Sequence, residues 1–173
     1  MIPKYLLLFV LLLGAKPEIP SNTQEEIFTI YLIRHAEKDL LSQNSYDPEL
    51  TECGQKRAES IRLFFDSITL DKVYSTNYIR TRNTAQPTAA SKNLDITLYD
   101  SERLEDLAKR LIENKEDALV VGHNNTTSVL VGLLVGEKLG DIDLDVYNQI
   151  YQVVICRNNG KLQLFHSAFE CAE

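Results

Sequence analysis

Apolar residues fall along this chain in short runs set apart by polar stretches, and the runs alternate with segments whose apolar positions recur at helical spacing. Residues Ile27 to Ile33 have the length and β-branched content of a buried strand. A polar loop follows, Lys38 to Pro48, and Thr51 then suits the N-cap of a helix running to about Ser67, with Ile61, Phe64, Phe65 and Ile68 on one face. Lys72 to Ser75 reads as a second strand, followed by a helix from about Tyr78 that Pro87 should kink or divide. Asp95 to Leu98 gives a third strand. The next helix, about Glu102 to Asn114, carries Leu104, Leu107, Ala108, Leu111 and Ile112 at helical spacing. Ala118 to Val121 is a fourth strand, and Thr126 to Val135 a helix capped by Asn124 or Asn125. Two last strands, Ile150 to Ile155 and Lys161 to Phe165, flank Asn158-Asn159-Gly160, a strong hairpin signal. Strand–helix alternation closed by a hairpin predicts a three-layer α/β/α sandwich, its sheet mostly parallel with an antiparallel C-terminal edge.

The first residues break this pattern. Lys4 precedes the apolar run Tyr5 to Leu13 and the small pair Gly14-Ala15, so residues 1–15 read as a signal peptide, 16–26 as a polar linker and 27–173 as one domain. The run is short for a bilayer span, so no stable membrane span is expected once the signal is removed. Export to a periplasm or to the outside is the expectation, and an uncleaved N-terminal tether the alternative. With 173 residues, 44% hydrophobic and 25% charged, the chain is large enough for one well-packed core. A net charge of −7 argues against nucleic acid as a partner and makes any local cluster of arginine and histidine an exception to explain. Cys53, Cys156 and Cys171 show no metal or redox spacing. Cys53 on its helix and Cys156 at a strand end read as packing residues, and a Cys156–Cys171 bridge after export stays open.

The chemistry lies at strand ends. Arg34-His35 closes the first strand and Gly122-His123 the fourth, where open α/β sheets place their ligand crevices. An imidazole attacks phosphorus only when one ring nitrogen is unprotonated, which requires a partner on the other. The phosphoryl oxygens then need fixed positive charge, which Arg34 and Arg80 supply as planar forks and a protonated His123 as a third donor. No cofactor is called for. A metal is disfavoured, because Arg34 beside His35 repels a cation and no His-x-x-x-His spacing occurs.

Taken in order, four segments resemble the histidine phosphatase superfamily, also called phosphoglycerate mutase-like. They are Arg34-His35-Ala36-Glu37, Leu50-Thr51-Glu52-Cys53-Gly54, the stretch Tyr74 to Ala85, and Gly122-His123-Asn124-Asn125. The resemblance spans about residues 28 to 166. It implies His35 as nucleophile, forming a phosphohistidine, with Arg34, Arg80 and His123 as phosphate ligands. Arg82 matches no site position and reads as a solvated or rim charge, and His166 as structural. A general acid is expected after the third strand, where Asp100 and Glu102 stand, though both also suit a helix start. Glu37 is a third candidate, or else a partner for Arg34.

Only 42 residues separate Arg80 from His123, all used by a helix, a strand and a helix. The resemblance is therefore to the small branch without a lid, where open access to water favours hydrolysis over return of the phosphoryl group. The expected activity is metal-independent hydrolysis of a small phosphomonoester. A protein phosphohistidine phosphatase and a catalytically silent phosphate-binding module are the alternatives, and a metallohydrolase ranks last.

Overall fold

The computed structural model describes residues 26–171, so the predicted signal peptide and all of the linker but Glu26 lie outside the described residues. The strands are β1 (Ile27–Arg34), β2 (Lys72–Thr76), β3 (Ile96–Tyr99), β4 (Ala118–Gly122), β5 (Gln149–Cys156) and β6 (Asn159–His166). The helices are α1 (Glu52–Phe64), α2 (Ile79–Ser91), α3 (Leu104–Asn114) and α4 (Asn124–Val135). One sheet holds the strands in the order β3-β2-β4-β1-β5-β6. The first four of these run parallel, and β5 and β6 add an antiparallel edge.

Side-chain alternation along the central strands builds the layers. Ile30 and Leu32 of β1 pack with Val120 under Leu107, Leu111, Leu130 and Leu134, the apolar faces of α3 and α4. Their neighbours Tyr31 and Ile33 pack with Leu119 and Val121 on the opposite side, under Ile61 and Phe65 at the α1 end and Ala85 and Ala89 of α2. A strand buried on both faces reads as a continuous apolar run, which is why β1 and β4 were legible in sequence.

Several expectations need correction. Helix α2 passes through Pro87 undivided. Proline removes the donor that would reach the carbonyl of Asn83, but Asn83 is exposed and water can serve that carbonyl. The N-cap of α4 is His123 itself, one residue before Asn124, and its N–H donates to Thr126 Oγ1 at 2.9 Å. Helix α3 begins at Leu104, after N-cap Arg103, so Glu102 lies in the preceding turn, its N–H donating to Asp100 Oδ1 at 2.9 Å. In the hairpin the last pair is Cys156 with Asn159, which leaves Arg157 and Asn158 as the two-residue turn at φ 49° and 62°. Gly160 is therefore a strand residue. A Cβ there would stand 2.4 Å from the Leu134 carbonyl oxygen, so glycine is required by the approach of α4 and not by the turn.

The cysteines also differ from expectation. Cys53 is bonded to Cys171, with Cα atoms 5.7 Å apart, while Cys156 ends β5 outside that bridge. The segment after β6 thus folds back against the start of α1. Its sequence carries no pattern that announces this, because the two cysteines stand 118 residues apart.

Candidate active site

The parallel strands deliver the predicted residues to one end of the sheet. Arg34 pairs in register with Gly122, so the turns after β1 and β4 lie side by side. The His35 N–H donates to the Gly122 carbonyl at 2.9 Å, and the rings of His35 and His123 stand 5.5 Å apart, edge to face. Arg80 enters from the first turn of α2, just beyond β2. Together Arg34, His35, Arg80 and His123 line a cleft of about 480 Å³, with Lys38, Tyr78, Asn124, Asn125 and Tyr147.

The tautomer of His35 is fixed by geometry. Its Nδ1 lies 2.7 Å from the Ala36 carbonyl oxygen, which can only accept, so the proton is on Nδ1 and Nε2 carries a lone pair. Burial, with Arg34, His123 and Arg80 nearby, pushes the imidazole down to about 3, although the Ala36 bond opposes this. Burial and the two arginines likewise push His123 down to about 4. Both rings are therefore neutral near pH 7, and His123 is not the standing cation that its expected role requires. Its Nε2 lies 3.1 Å from Thr76 Oγ1. Since Thr76 donates to Thr81 Oγ1 at 2.9 Å, and Thr81 donates to the Thr76 and Tyr78 carbonyls, His123 Nε2 is the donor to Thr76.

The two arginines are held differently. Arg34 spends Nη1 on the carbonyls of Asp143, Leu144 and Val146 at 2.8–3.1 Å and stacks on Tyr147, 4.0 Å from the ring centroid. Arg80 Nη1 lies 3.4 Å from Asp47 Oδ1, and the same carboxylate accepts from the Ile79 N–H at 2.8 Å, capping α2 from the loop before α1. Both guanidinium Nε atoms are buried without a protein partner among the described residues. Donors left in this way, beside an imidazole whose Nε2 carries a lone pair, suit an anion. Arg82 instead donates to Asn77 Oδ1 and does not line this cleft. His166 ends β6 opposite Gln149 and does not line the cleft.

Of the three acid candidates, Glu37 is turned away. Its carboxylate takes Arg57 Nε at 2.8 and 2.9 Å and Nη2 at 2.6 Å, so it pairs with Arg57 and not with Arg34. Asp100 and Glu102 line a second cleft of about 510 Å³ with Tyr46, Asp47, Tyr78 and Ser101. Tyr78 and Ser101 border both clefts, which makes them neighbours. Asp47, Thr76, Tyr78 and Tyr147 have no isolated signature in sequence, since each matters only through the partner that the fold brings to it. Elsewhere Glu37, Cys53 and Cys171 bring ligand-type atoms within 4.8 Å of one another. The two sulfurs are bonded to each other and Arg57 occupies the carboxylate, so that group does not suit a metal ion.

Residues 30–101 match the model of the histidine phosphatase superfamily, branch 1. The match covers 72 of the 173 residues, and the fold described above agrees with it. A protein histidine phosphatase, SixA, in complex with tungstate superposes at a TM-score of 0.67 with 16% identity, covering 81% of this chain and 97% of that one. An alpha-ribazole phosphatase from Shigella flexneri gives 0.69 with 17% identity, covering 84% and 100%. A phosphoserine phosphatase from Entamoeba histolytica gives 0.63 with 15% identity, covering 82% and 97%. At these identities the likeness is one of fold. No curated protein matches the chain.

Proposed function

We propose that this protein is a phosphatase that hydrolyses a small phosphomonoester through a phosphohistidine on His35. The observation that carries the reading is the bond from His35 Nδ1–H to Ala36 O, which leaves Nε2 as the nucleophile in a cleft lined by Arg34 and Arg80. Nε2 attacks phosphorus, the ester P–O bond breaks, and the alkoxide leaves towards the neighbouring cleft. There Asp100 or Glu102, or water, supplies the proton. Water then attacks the phosphohistidine and frees His35 and inorganic phosphate. Arg34 and Arg80 hold the phosphoryl oxygens, and His123 takes a proton or donates a hydrogen bond as charge develops.

Charge also narrows the leaving group. The phosphoryl cleft holds Arg34, Arg80 and Lys38, whereas the neighbouring cleft holds Asp47, Asp100 and Glu102 and no cation. A second phosphate on the substrate would meet those carboxylates, so a monoester fits better than a bisphosphate. A phosphohistidine on another protein is the second reading. It is favoured by the 42-residue span between Arg80 and His123, which α2, β3 and α3 fill without an inserted lid. Export of the mature domain is part of the proposal. The Cys53–Cys171 bridge suits an oxidising compartment, and among the described residues no helix is long and apolar enough to cross a membrane.

The test is hydrolysis of an aryl phosphate, with and without a chelator, and rapid quenching for acid-labile, base-stable phosphate on His35. Turnover that survives chelation, with label on His35, supports the reading. Turnover lost on chelation and restored by a divalent cation overturns metal independence, and phosphate bound but never hydrolysed supports the silent binding module.

A further inference from the structure

The chain beyond β6 is held at several points. The Ser167 N–H donates to the Asn148 carbonyl at 2.7 Å, and the Phe169 carbonyl accepts from Arg57 Nη1 at 3.0 Å. The Phe169 ring lies 5.2 Å from the Arg57 guanidinium, and Cys171 is bonded to Cys53 in the first turn of α1. Arg57 is only 6% exposed, so its charge depends on these partners.

From Arg57 the contacts run directly to the nucleophile. Its fork grips the Glu37 carboxylate. The Glu37 carbonyl accepts from the Thr51 N–H at 2.9 Å, and a Cβ on Gly54 would stand 2.2 Å from that same oxygen, so α1 is pressed against the Glu37 backbone. The preceding residue is Ala36, packed with Leu50 and Ala58, its N–H donating to Thr84 Oγ1 at 2.9 Å. The Ala36 carbonyl is the acceptor that sets the His35 tautomer. One peptide therefore separates the ion pair from the group that prepares the imidazole.

We propose that the C-terminal segment 167–171 is a redox-dependent strap that positions the nucleophile, with Arg57 as the positioning residue through which it acts. The inference rests on His35 being the nucleophile. A hydrophobic staple would stabilise as well as a buried ion pair does, whereas a guanidinium fork fixes the direction of the carboxylate it holds, and with it the adjoining peptide. The disulfide limits the distance between strap and α1. A dithiol opens it by exchange: the dithiol is oxidised to its cyclic disulfide, and two electrons and two protons pass to Cys53 and Cys171. The strap then keeps its Arg57 and Asn148 contacts and the approach of Cys171 Sγ to Glu37 Oε1 at 3.2 Å, but no covalent link to α1.

The experiment uses the full chain, oxidised or reduced with a dithiol, and the variants Cys53→Ser/Cys171→Ser, Arg57→Ala and Arg57→Lys. Aryl phosphate hydrolysis gives kcat and KM, and ¹⁵N NMR of the imidazoles gives the His35 tautomer. Reduction and the double serine variant are expected to lower kcat about 10- to 100-fold with KM within about twofold, the size of effect that misplacing a reacting group produces. The His35 ring should pass from pure Nδ1–H to a mixture of tautomers. The double serine variant should no longer respond to the dithiol, Arg57→Ala should match the reduced protein, and Arg57→Lys should recover part of kcat. An unchanged kcat and unchanged tautomer on reduction, with only a fall in melting temperature, would make the strap a structural staple and overturn the proposal. The reduced wild type needs no substitution, so a misfolded variant does not decide the matter. If no form turns over, the catalytic reading fails, and the tautomer shift still tests the strap on its own.

Discussion

The turns after β1 and β4 present the same residue type to the same cleft, yet they are braced by different chemistry. After β1, His35 is bonded to a backbone carbonyl, and the peptide bearing that carbonyl is backed by a buried ion pair, a helix start and a disulfide. After β4, His123 is the N-cap of α4 and is held through its ring by two threonine hydroxyls in series. A carbonyl cannot reverse its role, whereas a hydroxyl can turn from acceptor to donor. The difference teaches that one imidazole is built to keep a single tautomer, as the proposed nucleophile must. The other can change its proton and partner, as the proposed mechanism asks of it when a phosphoryl group arrives.

The largest effect should separate the two histidines outright. His35→Ala should lower turnover by roughly 10⁴-fold or more while the protein stays folded, since losing a nucleophile removes the covalent route. His123→Ala should cost roughly 10²- to 10³-fold, as for one lost oxyanion donor. Single-turnover kinetics on both variants measure the gap, and a reversed order would exchange the roles assigned to the two turns.

Next comes the bracing of the β1 turn. The Cys53–Cys171 bridge closes a loop of 118 residues, so chain entropy alone predicts that Cys53→Ser/Cys171→Ser loses about 4–5 kcal/mol in denaturant unfolding. No comparable loss is expected from Thr76→Val, at the end of β2, which removes the hydroxyl that braces the β4 turn through His123, since each of its two hydrogen bonds is worth about 1 kcal/mol. Equal losses would mean that the two turns are braced alike.

A smaller effect distinguishes the arginines. Arg80→Ala should weaken vanadate inhibition by about 1.5–3 kcal/mol, the worth of a charge-assisted bond, while Arg82→Ala should leave it nearly unchanged. A matching loss in Arg82→Ala would show that the Arg82 side chain reaches the anion despite its contact with Asn77.

What the sequence shows and what it hides follow the same division. The β1 and β4 turns were readable because each ends an apolar run buried on both faces, and a charged residue at such an end is conspicuous. Arg80 was found through its place at the start of α2, and α3 through the spacing of Leu104, Leu107 and Leu111. Contacts across long separations left no local trace. Asp47 reaches Arg80 from 33 residues away, and Arg57 reaches the Phe169 carbonyl from 112. Glu37 looked like a site residue because it follows Arg34 and His35, but Arg57 of α1, 20 residues away, takes its carboxylate. Asn159-Gly160 misled for a related reason, since Gly160 answers to the approach of Leu134 and not to the turn.

The smallest effect bears on the protonation of both imidazoles. His35 is held down to about 3 and His123 to about 4, against an unfolded value near 6.5. Between these limits the unfolded chain binds protons that the folded chain refuses, so stability falls as the pH drops from 7. Between pH 7 and pH 6 each histidine should contribute a loss of roughly 0.7 kcal/mol, from linkage with the unfolded value alone. The two shares should be equal, because both folded values lie well below this window. Removing either ring, as His35→Ala or His123→Ala, should therefore flatten the dependence of unfolding free energy on pH by the same amount, against a carboxylate background common to all three proteins. Calorimetry or urea titration at the two pH values reads this directly. A His123→Ala slope equal to that of the wild type would mean that His123 binds protons alike in the folded and unfolded protein, and a steeper slope would mean that it is protonated in the folded protein, which would make the β4 turn a standing cation after all.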